Sequence, residues 1–269
     1  MHPVLFQIGS LLVPSYGVCA ALGVLLALAL AQSTARKVGL APESAPRHAW
    51  NMIVLAVFAS LATSRLLLIA MNLGGLRRHP SWLLAVAMVH HPLLTAVGAA
   101  GAAVAVLWYA RWARLPLAAV ADCLTAPVAL GTAAEQMGAL LAGSDFGRDV
   151  LSSGVWAVTY TNPLAARWSG TPLGVPLYPV QAYAALGALL LTAVCFGWMF
   201  IARRQGDVAG VWLLGAGSLL FVTEMYRDWE GRGVVFGGRV DIPQLVGLGL
   251  VVCGGLVLWD WPRRKQTNV

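Results

Sequence analysis

Charge is scarce in this chain: charged residues fill 11% of 269 positions, against about a quarter in soluble domains. With 59% hydrophobic residues and a mean hydropathy of +0.74, that scarcity excludes an ordinary soluble protein. Lysine is nearly missing, with Lys37 and Lys265 the two among eighteen basic residues. The positive charge is therefore carried by arginine, whose planar fork suits phosphate oxygens, although a GC-rich genome gives the same bias. Cysteine is sparse too. Cys19, Cys123, Cys195 and Cys253 all lie in apolar stretches without metal-ligand spacing or the look of a disulfide framework. They read as small core residues, and no metal, nucleotide or other cofactor is implied. No basic segment precedes the first apolar run, only Met1 and His2 before a short amphipathic lead-in, so the first helix is expected to stay. No internal repeat of the inverted-transporter kind is present.

What the sequence does have is length in apolar runs. A helix crossing about 30 Å of hydrocarbon needs about 20 apolar residues, and such runs recur along the chain. Spans are expected near 13–31, 50–71, 93–110, 118–141, 179–201, 208–226 and 242–260. The fold class is therefore all-α: one polytopic membrane domain over 1–269, with seven transmembrane helices. The net charge of +7 follows topology rather than nucleic-acid binding. If the N-terminus is outside, one set of loops carries Arg36, Lys37, Arg47, Arg111, Arg114, Arg203, Arg204, Arg263, Arg264 and Lys265. The opposite set carries Arg77, Arg78, Arg148, Arg167, Arg227, Arg232 and Arg239. Ten against seven places the first set, and the C-terminus, in the cytoplasm. Residues 76–92 and 144–178 then form an outer, periplasmic cap.

Polar side chains concentrate in three clusters, all at outer helix ends: Glu135-Gln136 leading to Gly143-Ser144-Asp145-Phe146-Gly147-Arg148, then Tyr178 to Tyr183, then Glu224 to Asp228. Charge inside a bilayer is expensive and marks function. Arg65 lies about one and a half turns from the outer end of the second span and joins the same face. Glu224 and Arg227, three apart, share a helix face and suit an ion pair, which is as readily structural as functional. Glu135 faces the protein interior. Asp122, about 20 Å lower on the same helix, cannot reach it and reads as structural. The glycine-bracketed turn from Gly143 to Gly147 offers backbone N–H groups to a phosphate, with Arg148 beside it. Turns need glycine in any case. His90 and His91 are candidate bases, more simply read as solvated loop residues.

These residues resemble the motifs of the bacterial prolipoprotein diacylglyceryl transferase family over nearly the whole chain. Pro3, Ile8-Gly9, Tyr16-Gly17, Arg65, Gly98, Gly101, Asp122, Ala126-Pro127 and Gly131 match family positions. The family's Gly-Arg-x-Gly-Asn-Phe-x-x-Gly run, with Gly-Arg following, aligns with Glu135 to Gly143 and Gly147-Arg148. Its His-Pro-x-Gln-x-Tyr motif is similar to Tyr178-Pro179-Val180-Gln181-Ala182-Tyr183, and its Arg-x-x-x-Glu-x-x-Arg motif to Leu220, Glu224 and Arg227. Gln244 matches a Gln opening the last helix. Four positions differ in kind: Gln136 stands for the motif Arg, Ala139 for Asn, Val97 for His or Tyr, and Leu220 for Arg.

The resemblance implies transfer of a diacylglyceryl group from phosphatidylglycerol to the lipobox cysteine of a prolipoprotein, or to a related acceptor, at the outer face of the inner membrane. It leaves a second reading open: a lipid-binding or chaperone-like member that kept the groove and lost the chemistry. A transporter with Asp122, Glu135 and Glu224 as a proton path is the third. On the first reading Glu135, Asp145, Arg148 and Glu224 are the catalytic candidates. Tyr16, Arg65, Gln136, Gly143, Gly147, Gln181, Tyr183, Arg227 and Gln244 are the substrate-binding ones. The implied partners are a phosphatidylglycerol-like phospholipid, the prolipoprotein signal peptide and the membrane, and no nucleic acid.

Overall fold

The computed structural model describes residues 2–9, 11–40, 43–74, 92–150, 156–202, 204–228, 234–235 and 240–259. His90, His91, Arg232 and Arg239 lie outside them. Among the described residues, seven helices are long and apolar enough to cross a membrane. They are α1 (Ser15–Lys37), α2 (Ala45–Met71), α3 (Pro92–Trp112), α4 (Leu117–Ala142), α6 (Val180–Trp198), α7 (Asp207–Glu224) and α8 (Ile242–Trp259). A short α5 (Pro163–Ser169) lies between α4 and α6.

The helix ends depart from the apolar runs for local reasons. A two-stranded hairpin, β1 (Val4–Ile8) and β2 (Leu11–Pro14), occupies the lead-in that was expected to run into the first span, with Gly9 at φ +61° in the turn. Helix α1 therefore starts at Ser15, whose N–H donates to the Pro3 carbonyl at 2.9 Å. At its other end α1 runs on to Lys37, beyond the expected Ala31, because Thr34 and Ala35 stay buried and the Thr34 hydroxyl donates to the Cys123 carbonyl of α4 at 2.7 Å. Helix α2 begins at Ala45 rather than near 50; Pro46 sits in its first turn, where a missing N–H costs nothing.

Packing between helices is set by small residues, as expected where lipid supplies no hydrophobic drive for association. Helix α4 is central, with α1, α6 and α7 against it. Gly138 of α4 lies against Tyr16 and Cys19 of α1; an added Cβ would come 2.8 Å from the Cys19 Cβ. Helices α7 and α8 approach antiparallel through two glycine pairs, Gly210 with Gly254 and Gly217 with Gly247. Of the free cysteines expected as core residues, Cys123 and Cys195 are fully buried and Cys19 is half-buried, while Cys253 is exposed on α8.

Between α4 and α6, strands β3 (Val158–Thr159) and β4 (Pro176–Leu177) pair antiparallel beside α5. Tyr160, Ala165 and Leu177 form a small buried cluster there, with Phe146, Val158 and Val175 against it. This is the apolar centre of the segment expected as an outer cap. Strands β5 (Val234–Val235) and β6 (Val240–Asp241) pair ahead of α8.

Candidate active site

The C-terminal ends of α2, α4 and α7 and the N-terminal ends of α1, α6 and α8 share one end of the bundle by strict alternation of the spans. The polar residues meet there. On α4, Glu135 lies about two turns before the helix end and points between helices, where its Oε1 accepts from the Tyr16 hydroxyl of α1 at 2.9 Å. Arg65 and Asp145 also act electrostatically on that hydroxyl, which brings α2 and the α4 exit turn to the same point.

Helix α4 stops at Gly143, which adopts φ +86°; its N–H and that of Ser144 both donate to the Ala139 carbonyl. The chain then bends through Asp145, at φ +54°, a backbone conformation that is costly for a residue with a Cβ. From Phe146 onward it runs extended between two other segments. Arg148 N–H donates to the Tyr226 carbonyl at 2.9 Å and Tyr178 N–H donates to the Arg148 carbonyl at 3.0 Å. Gly147 pairs with Arg227 and Asp149 with Leu177. The three polar clusters of the sequence are thus laced into one three-stranded strip. Gly147 is required by that lacing, because any Cβ would collide with the Tyr178 carbonyl. Expected as a phosphate-receiving nest, the turn instead spends the N–H groups of Gly143, Ser144 and Arg148 on the protein's own carbonyls.

Arg227 is the central cation. Nine-tenths buried, it pairs through Nε with Glu224 at 3.3 Å and through a terminal nitrogen with Asp145 at 3.8 Å. Glu224 is almost fully buried, while Asp145 keeps about a third of its side chain exposed (36%). The contact to Glu224 is thus the shorter and more buried of the two. The Arg148 side chain stands exposed at the rim. Gln181 is fully buried and donates to the Ser144 carbonyl at 2.7 Å, which fixes the bend from below. Tyr183 packs edge-on against Tyr226 with ring centroids 6.4 Å apart, and Tyr178 lies 5.4 Å from the same ring.

The structure therefore gathers Tyr16, Arg65, Glu135, Asp145, Glu224 and Arg227, with Gly143, Gly147, Arg148, Gln181 and Tyr183 shaping the strip around them. Gln136 is half-buried on α4, its Oε1 without a hydrogen-bond partner among the described residues. Gln244 is committed elsewhere: it and Asp241 form a reciprocal cap on α8, Asp241 N–H to Gln244 Oε1 at 3.1 Å and Gln244 N–H to Asp241 Oδ1 at 2.8 Å. Asp122 is structural: it caps α7, its carboxylate accepting from Gly206 N–H at 2.6 Å and Ala209 N–H at 2.8 Å.

Sequence reasoning missed Tyr160. Fully buried, it donates to the Leu140 carbonyl at 3.1 Å and approaches the Gln181 amide at 3.5 Å, and burial pushes its phenol up to about 12. Tyr226 stood in the third polar cluster without a role, and it is its carbonyl that holds Arg148. Neither contact follows a periodicity or a motif; each exists only once the three segments meet.

Seven apolar spans, with a buried arginine flanked by carboxylates at one end of the bundle, define a polytopic membrane protein. A sequence model of the prolipoprotein diacylglyceryl transferase family matches residues 3–260, and the chain belongs to that family. It is similar to phosphatidylglycerol–prolipoprotein diacylglyceryl transferases of Aliivibrio salmonicida (27% identical, covering 99% of this chain and 89% of the relative) and Photobacterium profundum (26%, covering 99% and 96%). The Vibrio cholerae protein of the same name is 28% identical, with 98% of this chain and 93% of the relative covered.

Proposed function

We propose that this protein moves the diacylglyceryl group of phosphatidylglycerol onto the lipobox cysteine thiol of a prolipoprotein, at the outer face of the bacterial inner membrane with the N-terminus outside and the C-terminus cytoplasmic. The named activity of the relatives supports the reaction, and the charge bias of the loops supports the orientation.

In this reaction the cysteine sulfur attacks the glycerol carbon, a C–S bond forms, the C–O bond to phosphate breaks and glycerol phosphate leaves. Two demands follow: a group that takes the thiol proton and cations that stabilise the departing phosphate. Glu135 takes the proton, held in place by Tyr16. Arg227 holds the phosphate by exchanging its outer contact with Asp145 for phosphate oxygens while Glu224 keeps the guanidinium oriented. Arg65 and the rim residue Arg148 add positive charge on the approach. Gln136 supplies an amide where the family motif has Arg, and Tyr183 with Tyr178 and Tyr226 gives an aromatic wall to the acyl side.

The observation that carries this reading is the buried Arg227 between two carboxylates of unequal reach. The test is incubation of purified protein with phosphatidylglycerol and a lipobox peptide, read by mass spectrometry for a diacylglyceryl adduct and released glycerol phosphate. Adduct formation that is lost in Glu135→Gln and Arg227→Gln is expected. Phosphatidylglycerol binding without any adduct, beside an active family enzyme in the same assay, would overturn it in favour of a lipid-binding role.

A further inference from the structure

A second polar cluster lies at the opposite end of the bundle from the candidate active site. Helices α2 and α3 touch closely where Gly98 and Gly101 face Ser60 and Thr63, and the Thr63 hydroxyl donates to the Val97 carbonyl at 3.3 Å. Toward their other ends the contact faces carry large side chains instead, and a cavity of about 540 Å³ opens between Asn51, Val54, Leu55, Phe58, Trp108, Tyr109 and Trp112. Ligand sites run from about 300 to 1,000 Å³.

The groove is graded from polar to apolar. At its helix-end mouth, Tyr109 Oη accepts from the Asn51 amide at 2.8 Å and pairs with His48 Nδ1 at 2.9 Å. Tyr109 is buried, so its hydroxyl serves to fix Asn51 and His48. One turn beyond Asn51, on the same face of α2, stands exposed Arg47; on α3, exposed Arg111 lies beside Trp112. Deeper in, Val54, Leu55 and Phe58 form an apolar floor, walled by Trp108, whose ring stacks on Trp112 with centroids 6.4 Å apart and planes 9° apart. Tryptophan at headgroup depth beside arginine is the composition of an interfacial lipid contact.

We propose that this groove holds an anionic phospholipid of the leaflet on the Arg47 and Arg111 side, its phosphate met by those two arginines and Asn51 and its first acyl carbons laid against Phe58 and Trp108. The juxtaposition that carries it is a fixed amide, two exposed guanidinium groups and an aromatic-walled trough within one helix pair. The occupant is a lipid because the trough lies on spans apolar enough to cross a bilayer, and an anionic one because Arg47 and Arg111 stand one turn from its Asn51 and Trp108, two positive charges against the single carboxylate of Glu43, four residues before Arg47.

The test uses photoactivatable phosphatidylglycerol and photoactivatable phosphatidylcholine with the full-length protein in nanodiscs, adducts being mapped by peptide mass spectrometry. Mapping keeps labelling here apart from labelling at the candidate active site. Preferential labelling of residues 51–58 and 108–112 by phosphatidylglycerol is expected, falling about fivefold for each arginine removed in Arg47→Gln and Arg111→Gln. Both are exposed side chains, so the fold survives their loss. Equal labelling by the two lipids, or a preference that persists in the double variant, would overturn the proposal.

Discussion

Tyr16 and Glu135 lie 119 residues apart in sequence and share a hydrogen bond of 2.9 Å between phenol and carboxylate. The pair exists because Gly138, one turn further along α4, lets the α1 backbone come close beside Tyr16. A carboxylate at this depth needs a partner, and Tyr16 also sets its direction. If Glu135 is the proton acceptor, Glu135→Gln lowers the turnover rate by about 10² to 10⁴, the range for a general base. Tyr16→Phe, which leaves the carboxylate and removes this one hydrogen bond, costs less. The double variant is no slower than Glu135→Gln alone, since the tyrosine acts through the carboxylate. Single-turnover lipidation of a lipobox peptide measures all three; additive losses would separate the two residues.

Arg227 has a structural and a chemical duty, and the two are separable. Its removal in Arg227→Ala breaks the ion pair to nearly buried Glu224, a loss of about 3–5 kcal/mol for a broken buried pair. Arg227→Met combined with Glu224→Gln removes both charges and recovers most of that stability while remaining inactive. Thermal melting in detergent and the lipidation assay, run on the same samples, read the two duties apart.

Asp145 is the outer partner at 3.8 Å and sits at φ +54°. Asp145→Asn keeps the shape and loosens the hold on Arg227, so the apparent affinity for phosphatidylglycerol rises; Asp145→Gly further relieves the backbone. Lipid titration of the two variants checks this, and weaker binding in Asp145→Asn would make the carboxylate itself a ligand rather than a gate.

The architecture was legible from the sequence because crossing a bilayer demands long apolar helices, and composition reports those directly. The convergence of Glu135, Asp145, Glu224 and Arg227 was legible too, since alternating spans put their helix ends on one side. The lacing was not. Gly147 reads equally as a phosphate-binding glycine or as one squeezed under the Tyr178 carbonyl, and only the meeting of three distant segments decides for the second. Gln244 matched a family position, yet its side chain is engaged in capping α8 with Asp241, a local pattern the sequence already carried at i and i+3. The N-terminal hairpin escaped notice because a short alternating stretch before a span looks like an amphipathic lead-in.

Gly147→Ala forces the Tyr178 carbonyl away and breaks the strip that carries Arg148 and Arg227. A loss of about 1–3 kcal/mol is expected, as for other overpacked sites, together with most of the activity. Gly197→Ala, on α6 where an added Cβ meets nothing, serves as the neutral comparison. Equal melting temperatures for the two variants would remove the steric explanation for Gly147.

Burial raises the Tyr160 phenol to about 12, above the ordinary value of 10.0. The folded state therefore prefers the protonated form, and the stabilisation linked to it is complete below pH about 10 and declines as pH rises toward about 12. In Tyr160→Phe this part of the alkaline decline disappears, while the hydrogen bond to the Leu140 carbonyl is lost at every pH. Melting curves between pH 9 and pH 12, about the ordinary and raised values, distinguish the variant from the parent chain.

Asp122 tests the separation between fold and site. Its carboxylate closes the N-terminus of α7, accepting two backbone N–H groups that would otherwise lie unpaired between helices. Asp122→Ala is expected to cost about 1–2 kcal/mol, the upper range for a lost cap, and Asp122→Asn less, since one acceptor oxygen remains. Both variants should turn over at the parent rate well below their melting temperatures, because Asp122 lies about 20 Å along α4 from Glu135. A proton path through Asp122 predicts the opposite pattern: Asp122→Asn would slow turnover as much as Asp122→Ala does, with little change in melting. Measuring the melting temperature and the lipidation rate of the two variants side by side decides between a cap and a relay.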